Sequence, residues 1–185
     1  MTDAAEGPAG RLVRELLPKS LRARSAYQVA DAAGLIKLDA MESPYPWPGP
    51  LQEAWCAALA EVAVNRYPDP RAEALQQALR AAMEVPEEAA LLLGNGSDEL
   101  IQILLMAVAA AGRPVLAPEP TFVMYRVLAE ALGLPWAGVD LDPETFALPG
   151  AALLEAIAAH RPAVVFLAYP NNPTGNLFDT ADMEA

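Results

Sequence analysis

Between residues 71 and 168, stretches with helical spacing alternate with short apolar runs, and few folds accommodate that order. Residues 72–83 read as a helix and lead into an apolar run at 90–93, read as a strand. A Gly94-Asn-Gly-Ser97 turn follows, then a helix over 98–110 and a strand over 114–117. Pro118-Glu-Pro-Thr121 turns the chain into a helix over 122–132. A strand over 135–139, a polar loop over 142–148 and a helix over 151–159 come next. Residues 163–168 form an unbroken apolar run, the pattern of a strand buried on both faces. Strands alternating with helices predict a layered α/β sheet.

The first 64 residues have a different texture and read as a separate arm or small-domain segment, with the regular pattern beginning after them. Residues 1–9 read as a loose tail, 11–17 as one or two helical turns ended by Pro18, 20–33 as irregular, and 36–39 as a short strand. Four prolines between Ser43 and Pro50 remove donors and fix φ, which leaves only an extended loop. Leu51, Trp55, Leu59 and Val62 then predict a helix over 51–64, broken by Asn65-Arg-Tyr-Pro-Asp-Pro70. Cys56 falls inside that helix and is expected in or near a core. Cys56 and His160 are the only residues of their kinds, which excludes the usual His/Cys metal sites. His160, before Arg161-Pro162, suits a helix end on the surface.

Acids outnumber bases 24 to 12, for a net charge of −12. A field of that sign repels nucleic acid and anionic membranes, so any bound anion needs a local device. The N-terminus lacks the basic and apolar regions of a signal peptide, and the longest apolar run, 101–112, contains Gln102 and is too short for a bilayer. A cytoplasmic protein is expected.

Two strings carry chemistry. In Leu91-Leu-Leu-Gly-Asn-Gly-Ser-Asp-Glu-Leu100, a strand runs through a glycine turn into a helix start. Glycines admit a close ligand, and a helix N-terminus offers free N–H groups at the positive end of its dipole. The same string also reads as a tight turn with Ser97 as an ordinary N-cap and Asp98 and Glu99 as first-turn acids. It is neither a dinucleotide fingerprint nor a P-loop, because the third glycine and the Gly-Lys-Ser/Thr are absent. In Val164-Val-Phe-Leu-Ala-Tyr-Pro-Asn-Asn-Pro-Thr-Gly175, a strand ends in a loop of turn-formers, at the strand end where α/β sheets bind ligands.

Pro170-Asn-Asn-Pro-Thr-Gly175 resembles the Asn-Pro-Thr-Gly loop of the fold-type I pyridoxal-phosphate (PLP) aminotransferases of class I/II. The other landmarks stand in that family's order. Asn65-Arg-Tyr-Pro-Asp69 resembles the segment whose tyrosine reaches the neighbouring subunit's PLP phosphate. Gly94–Glu99 resembles the phosphate-binding turn, and Pro118-Glu-Pro-Thr-Phe-Val-Met-Tyr125 the segment whose aromatic stacks on the pyridine ring. Ile36-Lys-Leu-Asp-Ala-Met-Glu-Ser-Pro-Tyr45 resembles the substrate segment of the histidinol-phosphate subfamily, although Asp39 and Ser43 stand where asparagine is usual.

The resemblance implies a three-layer α/β large domain, incomplete in this chain, over residues 65–185, with residues 1–64 as an N-terminal arm and small-domain segment. It implies that Ser97, Asp98 and Glu99 bind the PLP phosphate largely through backbone N–H groups, and that Phe122 stacks on the ring, where a phenylalanine could otherwise be a core residue. It implies that Asn172 donates to the phenolic oxygen, Tyr67 serves the partner's phosphate in a homodimer, and Tyr27 lines the substrate pocket. The substrates it implies are a small amino donor and a phosphorylated keto compound. The activity it implies is histidinol-phosphate:2-oxoglutarate amino transfer in L-histidine biosynthesis, with another class I/II aminotransferase or a phosphothreonine decarboxylase as the alternative.

The family's covalent PLP lysine lies well beyond the Asn-Pro-Thr-Gly loop, and this chain has only Lys19 and Lys37, both before the phosphate turn. The family's pyridine-pairing aspartate also comes later than Asp179 and Asp182. Asp179 reads as the N-cap of a helix just begun at residue 185, so an N-terminal part of a longer enzyme is expected, or a non-catalytic remnant. No residue of 1–185 is expected to be the catalytic base, and this chain alone is expected to be inactive.

Overall fold

The computed structural model describes residues 7–17, 19–22, 31, 33–38 and 42–185, so Tyr27 and Asp39 lie outside the described residues. In chain order the elements are α1 (Pro8–Leu16), α2 (Lys19–Arg22), α3 (Gly49–Ala60), α4 (Glu73–Ala82), α5 (Ser97–Val108), β1 (Val115–Glu119), α6 (Val123–Ala131), β2 (Trp136–Asp140), α7 (Gly150–His160), β3 (Val164–Val165) and α8 (Thr180–Glu184). They form two compact units, one of residues 25–91 and one of residues 1–24 with 92–185.

The second unit holds a parallel sheet in the order β2-β1-β3. β1 is the middle strand, pairing Val115 with Trp136 of β2 on one side and Val164 of β3 on the other. Neighbouring strand residues point to opposite faces, so Val115 and Leu116, both fully buried, root two separate cores. Val115 joins Ile101 and Leu105 of α5, Ala129 of α6, and Leu134. Leu116 joins Leu141, Leu148, Leu153 of α7 and Phe178, with Met183 of α8 packed against them. The result is three layers: α5 and α6, the sheet, then α7 and α8. Helix α6 leads from β1 to β2 over one face, and α7 leads back past β1 to β3 over the other. Right-handed crossovers require that change of face when the chain reverses direction across a sheet.

The helices over 72–83, 98–110, 122–132 and 151–159 and the strands over 114–117 and 135–139 form within a few residues of the expected bounds. Asp179 caps α8 as expected, accepting from the Ala181 N–H at 2.9 Å. Two strands differ. Residues 90–93 join no ladder among the described residues, because an apolar run becomes a strand only where a neighbour takes its hydrogen bonds. The strand expected over 163–168 pairs only at Val164–Val165 and is half-buried rather than covered on both faces. Among the described residues it lies at the sheet edge, with no flanking strand on one side.

The other unit holds α3 and α4. Helix α3 starts at Gly49 behind Pro48 and ends at Ala60, short of residue 64. It has no buried residue, and Cys56 is exposed, not in a core. Helical spacing aligns apolar side chains on one face but does not supply the surface that buries them; here Trp47 lies edge-on to Trp55 with ring centroids 5.7 Å apart. Helix α4 follows a turn held by Asp69, which accepts from the N–H groups of Arg71 at 3.0 Å and Glu73 at 2.9 Å. Those hydrogen bonds hold the Asp69 carboxyl below its ordinary pKa.

Helix α7 closes on Arg161 at φ 46° and ψ 57°, with His160 as its last residue. The Arg161 N–H reaches the Ile157 carbonyl at 2.8 Å, and the Arg161 carbonyl accepts from Arg113 Nε. A left-handed backbone costs a residue with a Cβ more than it costs glycine, while the bonds at this cap are made by the backbone of residue 161. Arg161→Gly in the full-length protein should therefore raise unfolding stability by about 0.5–1 kcal/mol, read from the urea midpoint.

Candidate functional site

Three segments of the sheet-containing unit carry five of the sequence-derived site residues, Ser97, Asp98, Glu99, Phe122 and Asn172. At the first, Gly96 takes φ 84° and ψ 174° and is the N-cap of α5. That conformation is open to glycine at low cost, and it brings Ser97 inside the helix as its first residue. Ser97 is thus not the N-cap, and no side chain caps the Gly96 position. Glu99 folds back over the turn and accepts from Asn95 N–H and from Asn95 Nδ2, the latter at 3.1 Å, in the manner of a capping box. Leu100 and Glu99 crowd Gly94, where a Cβ would lie 3.0–3.1 Å from their side chains. The backbone N–H groups of Ser97, Asp98 and Glu99 have no acceptor among the described residues. They face outward at the positive end of a 12-residue helix, an arrangement that suits an oxyanion.

The second segment leaves the carboxyl end of β1 through a cis Glu119-Pro120 bond. Phe122 is the N-cap of α6, with φ −59° and ψ 114°. Its ring is half-buried against the Ile101–Leu105–Val115 core and meets Tyr125 edge-on at 5.5 Å. Tyr125 in turn stacks on Phe166, with centroids 4.4 Å apart and planes 4° from parallel. Burial pushes the Tyr125 hydroxyl above its ordinary pKa. Nearby, Glu119 accepts from Trp136 Nε1 at 3.0 Å and pairs with Arg126 at 3.3 Å. Its carboxyl lies over Gly138, where a Cβ would be only 2.1 Å from Oε2, so any side chain at that position of β2 would have to displace the Glu119 carboxylate.

The third segment follows β3 and contains cis bonds at Tyr169-Pro170 and Asn172-Pro173. Asn171 is 2% exposed, the one buried polar residue among the described residues. Its Oδ1 accepts from the Thr121 hydroxyl at 3.1 Å, and its Nδ2 donates to the Pro120 carbonyl at 3.0 Å and to Thr174 Oγ1 at 2.7 Å. Asn172, next in the chain, is half-buried, and its side-chain amide has no partner among the described residues.

These bonds bring together what the sequence could only place in order. Phe122 follows Thr121 and Asn172 follows Asn171, so the Thr121–Asn171 bond holds the two site residues on adjoining loops at the carboxyl ends of adjacent strands. Ile101, one turn into α5, belongs to the core that Phe122 packs on. Tyr67 belongs to the other unit. It is fully exposed and lines an open pocket with Asn65 and Arg66. Tyr27 lies outside the described residues. Sequence reasoning passed over Asn171 and Thr121. The doubled asparagine of Pro-Asn-Asn-Pro was the available signal, but a string cannot say which of two adjacent amides turns inward.

Among the described residues no helix is long and apolar enough to cross a membrane. Residues 29–185 match the family described as Aminotransferase class I and II. A histidinol-phosphate aminotransferase of Thiocapsa roseopersicina is 53% identical over 172 residues, covering 93% of this chain and 91% of that protein. Histidinol-phosphate aminotransferase 2 of Nitrosococcus oceani is 56% identical over 173 residues, covering 94% of this chain but 48% of its own length. The chain thus spans about half of the Nitrosococcus relative. The crystal structure of a histidinol-phosphate aminotransferase from Sinorhizobium meliloti, in complex with pyridoxal-5'-phosphate, superposes with a TM-score of 0.58 at 26% identity, over 69% of this chain and 33% of that one. An α/β unit with a glycine-turned helix start and two joined strand-end loops, matched along most of its length, makes this chain a member of the class I and II aminotransferase family.

Proposed function

We propose that this chain is the N-terminal part of a PLP-dependent histidinol-phosphate:2-oxoglutarate aminotransferase of histidine biosynthesis. The observation that carries the reading is the Thr121–Asn171 bond, which puts Phe122 and Asn172 on adjoining loops above the sheet. The groups left without partners fit PLP: outward N–H groups at Ser97, Asp98 and Glu99 for a phosphate, and the Asn172 amide for a phenolic oxygen. Bound PLP supplies an electron sink for the amino-transfer reaction. The α5 start holds the phosphate without a basic patch, as an acidic chain requires. Phe122 offers a half-buried aromatic surface for the ring, fixed from behind by Tyr125. Asn172 donates to the ring oxygen and orients the cofactor. Tyr67, fully exposed in its own chain, serves the phosphate in the partner of a homodimer, and Tyr27 lines the substrate pocket. In the intact enzyme residues 1–64 form an arm and small-domain segment, and residues 65–185 begin the large domain.

Asp39 and Ser43, standing where the subfamily resemblance leads one to expect asparagine, favour one second reading: another class I/II aminotransferase with a different amino donor. The test is a substrate panel on the full-length protein. Histidinol phosphate with 2-oxoglutarate should give glutamate at a kcat/KM at least about tenfold above that for phenylalanine or other amino acids, a gap of about 1.4 kcal/mol. Preference for another amino donor would support the second reading. Decarboxylation of phosphothreonine, or no PLP-dependent turnover at all, would overturn both.

A further inference from the structure

We propose that Asn171 is a positioning residue that sets the relative placement of the two cofactor-binding side chains, Phe122 and Asn172. The inference rests on the reading of this site as a PLP cup. Asn171 is not itself offered as a contact to the cofactor: both amide hydrogens and the amide oxygen already have partners within the protein.

The single acceptor oxygen takes the Thr121 hydroxyl, and Nδ2 donates to the Pro120 carbonyl and Thr174 Oγ1. Thr174 Oγ1 then donates to Asn176 Oδ1, and Asn176 Nδ2 donates to the Phe146 carbonyl at 2.9 Å. The Asn171 backbone closes the loop on itself, its N–H donating to the Asn176 carbonyl at 2.9 Å and its carbonyl accepting from the Gly175 N–H at 2.7 Å. One buried amide thus ties the residues before Phe122 to the residue before Asn172, and anchors both to the 142–148 loop. No other residue type fills the place equally well. Aspartate has the shape but cannot donate, so the Pro120 carbonyl would face a second acceptor; leucine offers neither donor nor acceptor. Alanine would leave the Thr121 hydroxyl and the Pro120 carbonyl without these partners in a part-buried position.

A loop fixed only by packing would lose stability when Asn171 is changed. A loop whose placement serves the cofactor would also lose cofactor affinity and alter the cofactor's environment. The experiment uses the full-length enzyme, stripped of PLP and titrated with PLP, comparing wild type, N171A, N171D, T121A and T121S. In N171A and T121A the PLP Kd should rise roughly tenfold and the visible absorption band of bound PLP should shift, with N171D worst. T121S keeps the hydroxyl and should restore both. In a double-mutant cycle with N172A, the affinity losses of N171A and N172A should be strongly non-additive, since one acts through the other. Half-exposed Thr121 keeps the test available if N171A does not fold. A lowered Tm in these variants with unchanged Kd and unchanged spectrum would overturn the positioning role while leaving the PLP reading intact. Absence of PLP binding by wild type would overturn both.

Discussion

Purified residues 1–185, supplied with PLP, glutamate and imidazole-acetol phosphate, are expected to release no 2-oxoglutarate above background. The rate should fall on the order of 10⁴-fold or more below that of the full-length enzyme, the scale seen when a covalent catalytic group is removed. The only lysines are Lys19 and Lys37. Neither stands in the part of the sequence after the Asn-Pro-Thr-Gly loop where the family resemblance puts the covalent lysine, so the two loops of the cup would hold a cofactor without a base beside it. The same polypeptide should be difficult to keep in solution. Among the described residues β2 and β3 are both edge strands, and apolar side chains such as Leu92 and Met106 are more than half exposed. Clear glutamate-dependent turnover by the isolated 1–185 polypeptide would refute the prediction. A soluble polypeptide that stays inactive with PLP present would bear it out, with the aggregation expectation corrected.

The second large effect is on stability. Leu105→Ala in the full-length protein should cost about 3 kcal/mol of unfolding free energy, seen as a lower urea midpoint with an unchanged slope. Leu105 is completely buried between α5 and β1, in contact with the Ile101, Val115, Ala129 and Leu134 cluster. Removing three side-chain carbons loses their transfer free energy and leaves a cavity that a helix pinned against a sheet cannot close. The site should feel it as well, because Phe122 packs on this cluster. A cost below about 1 kcal/mol would mean that α5 does not pack on the sheet as described.

Much of this was legible in the sequence. Helix and strand periods are local, so the helices over 72–83 and 151–159 and the strands over 114–117 and 135–139 could be read from spacing, and the Asp179 cap from one side chain. The glycine turn at 94–97 announced a helix start that could take an anion, although the N-cap proved to be Gly96 and not Ser97. That one-residue difference was out of reach, since both residues are good caps and only the backbone angles distinguish them. Spacing alone predicts Cys56 in or near a core, yet it is exposed, because an amphipathic period describes one helix and not what faces it.

What the sequence by itself determined is the layered α/β class, the order of its elements and the string by which the family is recognisable. What only the tertiary structure decided is which strands meet and which polar group is shared between loops. Residues 90–93 and 163–168 look equally like strands, yet one stays unpaired and the other pairs only at Val164–Val165, because a ladder needs a neighbour from elsewhere in the chain. The two asparagines of Pro170-Asn-Asn-Pro173 look alike as well. Folding buries Asn171 against Thr121, 50 residues away in sequence, and leaves the Asn172 amide without a partner among the described residues. A hydrogen bond across that separation depends on the parallel pairing of β1 with β3, and no local pattern encodes it.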